Sequence, residues 1–415
     1  MTAKCPPERL AALGLAACWL WSAPLLAAEG SPPGVTLESV VTLARQLNPD
    51  LAASVLDADS AAHKVAAAGA LPDPTVALEA WDVNDRGVGQ RRIGVEQEFK
   101  LWGKRDLERS VAAADAEAAR HQSRGVEADL IARVKMAYAQ YYAAQRAVEL
   151  SLSIAKRVDE ALNLLRLRYG ATSVEQQDVI KAEMEAATAE AEVTRLQGET
   201  KSAAARLNAL IGRRSQAPLA IAKGFRPLKS KLTLAGVQAV ALETNPTVAA
   251  TGAEVRSATS AKELTDLNYY PDVTLGARFV QRPTGNNAGE FLLGFKVPLQ
   301  FESKDAEQRA ASSKLGAAQA RSDAIRVKLD GAVAEAWFGL EAIRKAIRIY
   351  EQRQLPPARL SVETVRAGFQ AGTSDLAAVF EAERRLRAVE LELLKLRVEE
   401  QAKYAELERL AGGSL

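Results

Sequence analysis

From residue 92 to residue 101 apolar and polar side chains alternate. Ile93, Val95, Phe99 and Leu101 fall on one face with Gln97, while Arg92, Gly94, Glu96, Glu98 and Lys100 fall on the other. A period of two is the signature of a strand with one apolar and one wet face. After Gly103 the pattern turns into Ala-, Glu- and Arg-rich sequence that predicts helix for about 65 residues. A strand passing directly into so long a helix is unusual in a soluble domain, and this chain does it twice. Residues 291–305 repeat the junction 200 positions later: Gly94 matches Gly294, Phe99 matches Leu299, Leu101 matches Phe301 and Lys104 matches Lys304.

The other elements arrange themselves around these junctions. A Pro/Gly linker at 30–35 leads to a helix beginning at Thr36-Leu37-Glu38, which Asn48-Pro49 interrupts and Leu71-Pro72-Asp73-Pro74 breaks. Residues 75–81 form a candidate strand and 82–90 a polar loop. The long helix is expected to end near Tyr169-Gly170-Ala171-Thr172-Ser173, with a returning helix over 175–211 capped by Gly212. At Thr233 the pattern restarts at an offset of 197: Thr36-Leu37 recurs as Thr233-Leu234, Asn48-Pro49 as Asn245-Pro246, and Pro74 as Pro271. A second strand–loop–strand unit spans 272–281 and 291–301, after which the offset is 200 through Tyr169/Phe369 and Leu210-Ile211-Gly212/Leu410-Ala411-Gly412. So many ordered landmarks indicate internal duplication. The expected organisation is a signal peptide (1–28), a first repeat (29–212), a connector (213–232) and a second repeat (233–415). One difference stands out: Pro356-Pro357 lies inside the second long helix and is expected to kink it.

A continuous helix of that size measures roughly 100 Å, more than one globular core accommodates. Such helices must pack side by side as coiled-coil layers with small Ala seams. A soluble periplasmic coiled coil satisfies that much. The strands argue otherwise. Each of the four is about 8 to 11 residues, a length that crosses a bilayer at a tilt. In the last of them Phe291, Leu293, Phe295, Val297, Leu299 and Phe301 would form a wholly apolar outward face. Trp81, Trp102, Tyr269 and Tyr270 fall at strand ends, where an interfacial girdle belongs. Four strands cannot close on themselves, and an open edge in lipid leaves backbone groups unsatisfied. The expectation is an oligomer sharing one barrel with a wet interior, hence a channel.

Composition narrows this further. The 54 basic and 52 acidic residues nearly cancel, which gives no sign of a nucleic-acid partner. Cys5 and Cys18 both precede residue 29, so the rest of the chain carries neither thiol nor disulfide framework. His63, His121, Met136 and Met184 are scattered, and no metal-ligand, nucleophile–base or phosphate-loop pattern appears; neither an enzyme nor a resident cofactor is expected. Lys4 and Arg9, the apolar run 10–26 and Ala27-Ala28-Glu29 read as a secretory signal cut near Ala28. Leu15-Ala16-Ala17-Cys18 offers a competing reading, in which Cys18 is a lipidated first residue.

These residues resemble the TolC family of outer-membrane efflux channels over essentially the whole mature chain. The carriers are the paired Asn-Pro starts, Leu71-Pro72-Asp73-Pro74, Gln97-Glu98-Phe99 with Trp102-Gly103-Lys104-Arg105, Val297-Pro298-Leu299, and the tip sequences Arg168-Tyr169, Gln176-Gln177-Asp178-Val179 and Phe369-Gln370-Ala371-Gly372-Thr373. The compact length and Gly-Lys-Arg junction look most like the heavy-metal branch of CzcC- and CusC-like proteins. The resemblance implies a mainly α fold with four transmembrane strands per chain, a homotrimer sharing a twelve-stranded barrel above a long α-barrel, and residence in outer-membrane lipid. It also implies docking onto a periplasmic adaptor and an inner-membrane pump of the RND type. The adaptor-facing turns would carry Tyr169, Gly170 and Thr172 in one repeat and Phe369, Gly372 and Thr373 in the other. The family's pore narrows at a ring of acids, whose places here are Ala378 and Glu381. The first acid is missing and the second is Glu; Asp375 could supply charge instead. Asp178 and Lys181 hold the equivalent places in the first repeat. Metal efflux, drug efflux and type I secretion all remain open, and the rival class is a periplasmic coiled-coil adaptor or scaffold.

Overall fold

The computed structural model describes residues 33–84, 87–170, 175–229, 232–282, 285–371 and 373–415. The predicted signal with Cys18, and the turn residues Thr172 and Gly372, lie outside them.

Each repeat starts with two short helices built around its Asn-Pro pair. In the first, Thr36 caps α1 (Leu37–Leu47), its hydroxyl accepting from the Ser39 amide at 3.4 Å. Asn48 then ends α1 and starts α2 (Pro49–Ala68). Its side-chain oxygen accepts from the Leu51 amide at 3.0 Å, while its Nδ2 donates to the Leu210 carbonyl at 2.9 Å. Pro49 occupies the first helical position, where a missing N–H costs nothing.

After α2 come β1 (Thr75–Asn84) and β2 (Gly87–Phe99), then α3 (Lys104–Gly170), a single helix of 67 residues. The returning helix α4 (Gln176–Ile211) ends at Gly212, whose φ of 83° is the left-handed cap. An added Cβ there would stand 2.5 Å from the Leu47 carbonyl oxygen, so glycine is required twice over.

The second repeat rebuilds this. Thr233 caps α5 (Leu234–Thr244), Asn245 caps α6 (Pro246–Asp266), and Asn245 Nδ2 donates to the Leu410 carbonyl at 2.9 Å. A 3₁₀ turn (Leu267–Tyr269) leads into β3 (Asp272–Gln281) and β4 (Ala288–Lys296). The long helix follows as α7 (Phe301–Ile349), a π-helical turn (Tyr350–Gln354) and α8 (Leu355–Gln370). Finally α9 (Leu376–Leu410) returns to Gly412, with φ 71° and an added Cβ 2.5 Å from the Thr244 carbonyl oxygen.

Two predicted boundaries shift. The strands run into the loop expected at 82–90, with Asn84 paired to Gly87. The last strand stops at Lys296, because Pro298 has no N–H for a ladder; Phe301 therefore begins α7 and does not belong to an apolar strand face.

Where a kink is predicted the helix carries the π turn. Pro356 and Pro357 cannot donate to the carbonyls four residues back, and their rings would crowd them. Those carbonyls lie in the wider turn. Core positions show why it holds an extra residue. Leu130, Val134, Ala137 and Tyr141 of α3 are buried as Leu329, Val333, Ala336 and Leu340 are in α7, an offset of 199. At the tip the offset is 200, and the π turn, which carries more residues per turn than an α-helix, absorbs the difference.

Each repeat has its own core where the short helices pack on the long ones. Val40, Leu51, Val134, Leu207 and Ile211 anchor the first, and Val237, Val333, Leu340, Tyr404 and Leu407 the second. A third cluster, Ile154, Val158, Leu162, Leu165, Ala182, Leu376 and Phe380, joins the repeats near the tip. Between them Glu408 is buried with Lys135 and Arg226, each at 2.7 Å, tying α3, α9 and the connector together.

Candidate channel wall and tip

The four strands form one antiparallel sheet in the order β1-β2-β3-β4, so the two hairpins meet through β2 and β3. The register sorts the side chains onto two faces. Val76, Leu78, Ile93, Val95, Leu275, Phe279, Phe291, Leu293 and Phe295 share one face, and their exposure runs from 47% at Val95 to 94% at Phe291. A contiguous apolar sheet face of this kind is an interaction surface. The opposite face carries Glu79, Arg92, Glu96, Glu98, Thr274, Arg278, Glu290 and Lys296. There Arg278 bonds to Glu96 and lies 3.9 Å from Glu79, and Lys296 lies 3.8 Å from Glu98.

Trp81 departs from its expected place in a girdle. It shares the charged face, with the Arg92 guanidinium 4.7 Å over its ring and its Nε1 donating to Glu79 at 3.0 Å. Its parity in β1 puts it there. Trp102 and Tyr270 do lie at the helix end of the sheet, half exposed, with ring centroids 5.3 Å apart.

That end is held by a clamp between the repeats. Trp102 (φ 62°) and Gly103 (φ 77°) turn the chain from β2 into α3 through two successive left-handed residues. Trp102 Nε1 donates to the Pro271 carbonyl at 2.9 Å. Lys104, buried at the start of α3, donates to Asp272 and to the Tyr270 carbonyl, each at 2.9 Å. The role of Lys104 is not assigned from sequence, although a signal exists. A cation in the first turn opposes the helix dipole, so a lysine recurring there at 104 and 304 calls for a carboxylate partner.

At the far end the structure separates the predicted tip residues. Asp375 caps α9, its carboxylate accepting from the Ala377 amide. Glu381 is exposed and pairs with Arg384 at 2.9 Å; Arg384 in turn reaches Glu185 of α4 at 3.5 Å. Asp178, in the first turn of α4, stands 3.7 Å from Lys181. Tyr169 is half exposed and Gly170 is exposed at the end of α3. Phe369 instead packs against the tip cluster, and Thr373 closes the α8 turn, its amide donating to the Gly368 carbonyl at 2.8 Å. Sequence reasoning also misses Glu383, which is buried in a 3.0 Å ion pair with Arg157 of α3; only packing distinguishes it from Glu381.

Among the described residues no group of three or more His, Cys, Asp or Glu could hold a metal ion, and no helix is long and apolar enough to cross a membrane.

Known proteins share this architecture. The cobalt-zinc-cadmium resistance protein CzcC of Cupriavidus metallidurans is 27% identical over 369 residues, 88% of this chain and 86% of that protein. The crystal structure of the outer membrane protein VceC of Vibrio cholerae aligns with a TM-score of 0.77 at 20% identity, covering 91% of this chain and 96% of that one. The open state of the MtrE outer membrane channel of Neisseria gonorrhoeae gives 0.77 at 18% identity, over 94% of each chain. The sequence model of the outer membrane efflux proteins matches residues 40–213 and 238–413, across both copies of the strand-to-helix junction. With both repeats so matched, the chain belongs to the outer membrane efflux protein family.

Proposed function

We propose that this outer-membrane efflux protein is the exit duct for metal cations, working as a homotrimer docked through a periplasmic adaptor onto an inner-membrane RND pump. The observation that carries the duct is the four-stranded sheet: one face is apolar and exposed, the other is charged, and long helices of 67 and 49 residues extend from one end. Lipid suits the first face and water the second. Metal cargo is supported by the likeness to a protein named for cobalt, zinc and cadmium resistance. Drugs are the second reading, since a duct passes what its pump delivers. Deleting the gene and measuring tolerance to cobalt, zinc and cadmium beside a panel of drugs tests the cargo. Loss of drug tolerance alone overturns the metal reading. A monomer mass in detergent, measured on protein from purified outer membranes, overturns the trimer.

The turns that follow Tyr169-Gly170 and Phe369, with Thr373, are the adaptor-facing surfaces in this reading. Charge-altering substitutions at both turns should abolish tolerance while trimers persist; unaffected tolerance would remove the docking role.

Glu381 is assigned to the constriction. It is the more exposed member of its pair with Arg384, whereas Asp375 has its carboxylate committed to a helix N-terminus. Glu381→Ala removes the shorter of the two carboxylate contacts of Arg384 and leaves only Glu185 at 3.5 Å, so the ring becomes more positive towards the ions. Cation conductance through single channels should fall, and the double variant Glu381→Ala/Arg384→Ala should recover it. Unchanged conductance and cation blockade in Glu381→Ala would end the assignment.

A further inference from the structure

Trp81 is a large aromatic residue on the charged face of the sheet. It pairs with Gln90 near the β1–β2 turn, at the end of the sheet away from the long helices. Its neighbours hold it in place. The Arg92 guanidinium lies 4.7 Å over its ring, and its Nε1 donates to Glu79 at 3.0 Å. Arg92 is itself fixed by donating to Gln90 at 3.1 Å. An indole gripped on its face by a cation and at its edge by a carboxylate has little freedom left to swing. Even so, Trp81 keeps 54% of its surface open.

The rest of that face lies flat. Ala77, Gly94, Gly276, Ala288 and Gly294 project almost nothing from it. Arg278, the large side chain at mid-sheet, lies across Gly94: its Cγ stands 2.6 Å from where a Gly94 Cβ would be, and its guanidinium is bonded to Glu96. That side chain is 23% exposed. Lys296 is freer, but it is a thin, flexible stem at the helix end of the sheet. Among the described residues of this face, Trp81 is therefore the bulky group that is both fixed and projecting.

Resting on the duct reading, in which this face lines water, we propose that Trp81, braced by Arg92, forms a collar near the outer mouth that limits the size of solute able to pass. Symmetry sets one such group from each copy at the same level, so the rings together narrow a wall otherwise made of small or flattened side chains. Hydrated ions are the class the collar passes, and bulky organic solutes are the class it turns back.

The test labels single cysteines on intact cells, since the sheet carries no thiol of its own. Val83→Cys lies on the charged face between Trp81 and the turn, and Thr274→Cys lies on the same face towards the helices. Each is treated from outside with a small methanethiosulfonate and with maleimides on poly(ethylene glycol) chains of graded length. The small reagent should label both, while the longest chain that labels Thr274→Cys should be shorter than the longest that labels Val83→Cys. Trp81→Ala should shift the limit at Thr274→Cys up towards the limit at Val83→Cys. Trp81→Phe, which loses the Glu79 bond and part of the bulk, should move it part of the way, and it decides the matter if Trp81→Ala does not reach the outer membrane. Equal limits at the two cysteines in the natural background, or a limit that neither substitution moves, overturn the collar and leave the duct standing. If the small reagent labels Val83→Cys but not Thr274→Cys, in the natural and Trp81-substituted backgrounds alike, this face does not line water and the duct reading fails with the collar.

Discussion

Single residues hold this molecule where its repeats meet. Asn48 and Asn245 each do two jobs, with the oxygen capping one helix and the amide nitrogen tying it to the last turn of the returning helix. Aspartate could supply the capping oxygen but not the second bond, because it has no donor. Glu408 is a costly position to change. It is buried against Lys135 and Arg226, and Arg226 also lies 5.1 Å over the Tyr404 ring. Burial holds the Lys135 ammonium below the usual lysine range, with Glu408 pulling it back up. Glu408→Ala would therefore strand two largely covered cations. It should cost about 3–5 kcal/mol of stability, as removal of one partner from a buried pair does. Thermal denaturation of the purified protein checks this, with Glu406→Ala, half exposed on the same helix, as the mild comparison.

At the scale of elements, the long helices are joined laterally by ion pairs that respond to pH. Glu117 of α3 accepts from Arg256 of α6, and that hydrogen bond holds its carboxyl below the ordinary glutamate value of 4.5. Because the folded value lies below the unfolded one, the pair stabilises fully above the unfolded value, and this contribution is lost as pH falls through the folded value. Solvent screens the pair, so its share is small. The expected outcome is a steeper fall of the unfolding temperature below pH 4.5 in the natural protein than in Glu117→Gln, and parallel curves would remove Glu117 from the acid response. The π turn is held in the same way. Glu351, within it, pairs with Arg397 at 2.5 Å, Arg397 with Glu400 at 3.1 Å, and Glu400 with Arg344 at 3.0 Å. The extra residue of the second repeat is thus pinned to α9 beside the connector.

For the molecule as a whole, the alternation of faces in the sheet decides where it resides. Leu292 and Leu293 are neighbours in sequence on opposite faces of β4. An arginine at the membrane midplane of a barrel's lipid face costs about 2–4 kcal/mol, while the lumen face tolerates charge. Leu293→Arg should therefore deplete the protein from the outer membrane, and Leu292→Arg should leave its level near normal on quantitative blots of the membrane fraction. Equal loss in both would mean that β4 does not separate lipid from water.

Much of this was legible before folding because it is local. Period-two and helical patterns, the Asn-Pro and Gly landmarks and their offsets are set by backbone sterics and capping, which involve residues a few positions apart. So α3, α4 and the glycine caps lie within a residue or two of expectation, and the duplication is visible throughout. What needed tertiary structure depends on partners far along the chain. That β2 pairs with β3 rather than with another edge, that Lys104 finds Asp272, and that Glu383 turns inward while Glu381 stays in solvent are all contacts over more than 160 residues or choices made by packing. Trp81 was misplaced because an aromatic near a strand end looks the same on either face until the register is known. The one-residue shift inside the second long helix was hidden for a similar reason: the offset is 200 at both ends of that helix, and only the buried positions of α3 and α7, at 199, reveal it. The sequence by itself determined the parts and their repetition, since short-range sterics and periodicity suffice for them. The tertiary structure decided which parts touch, because burial and charge pairing are settled only between elements brought together from distant stretches of chain.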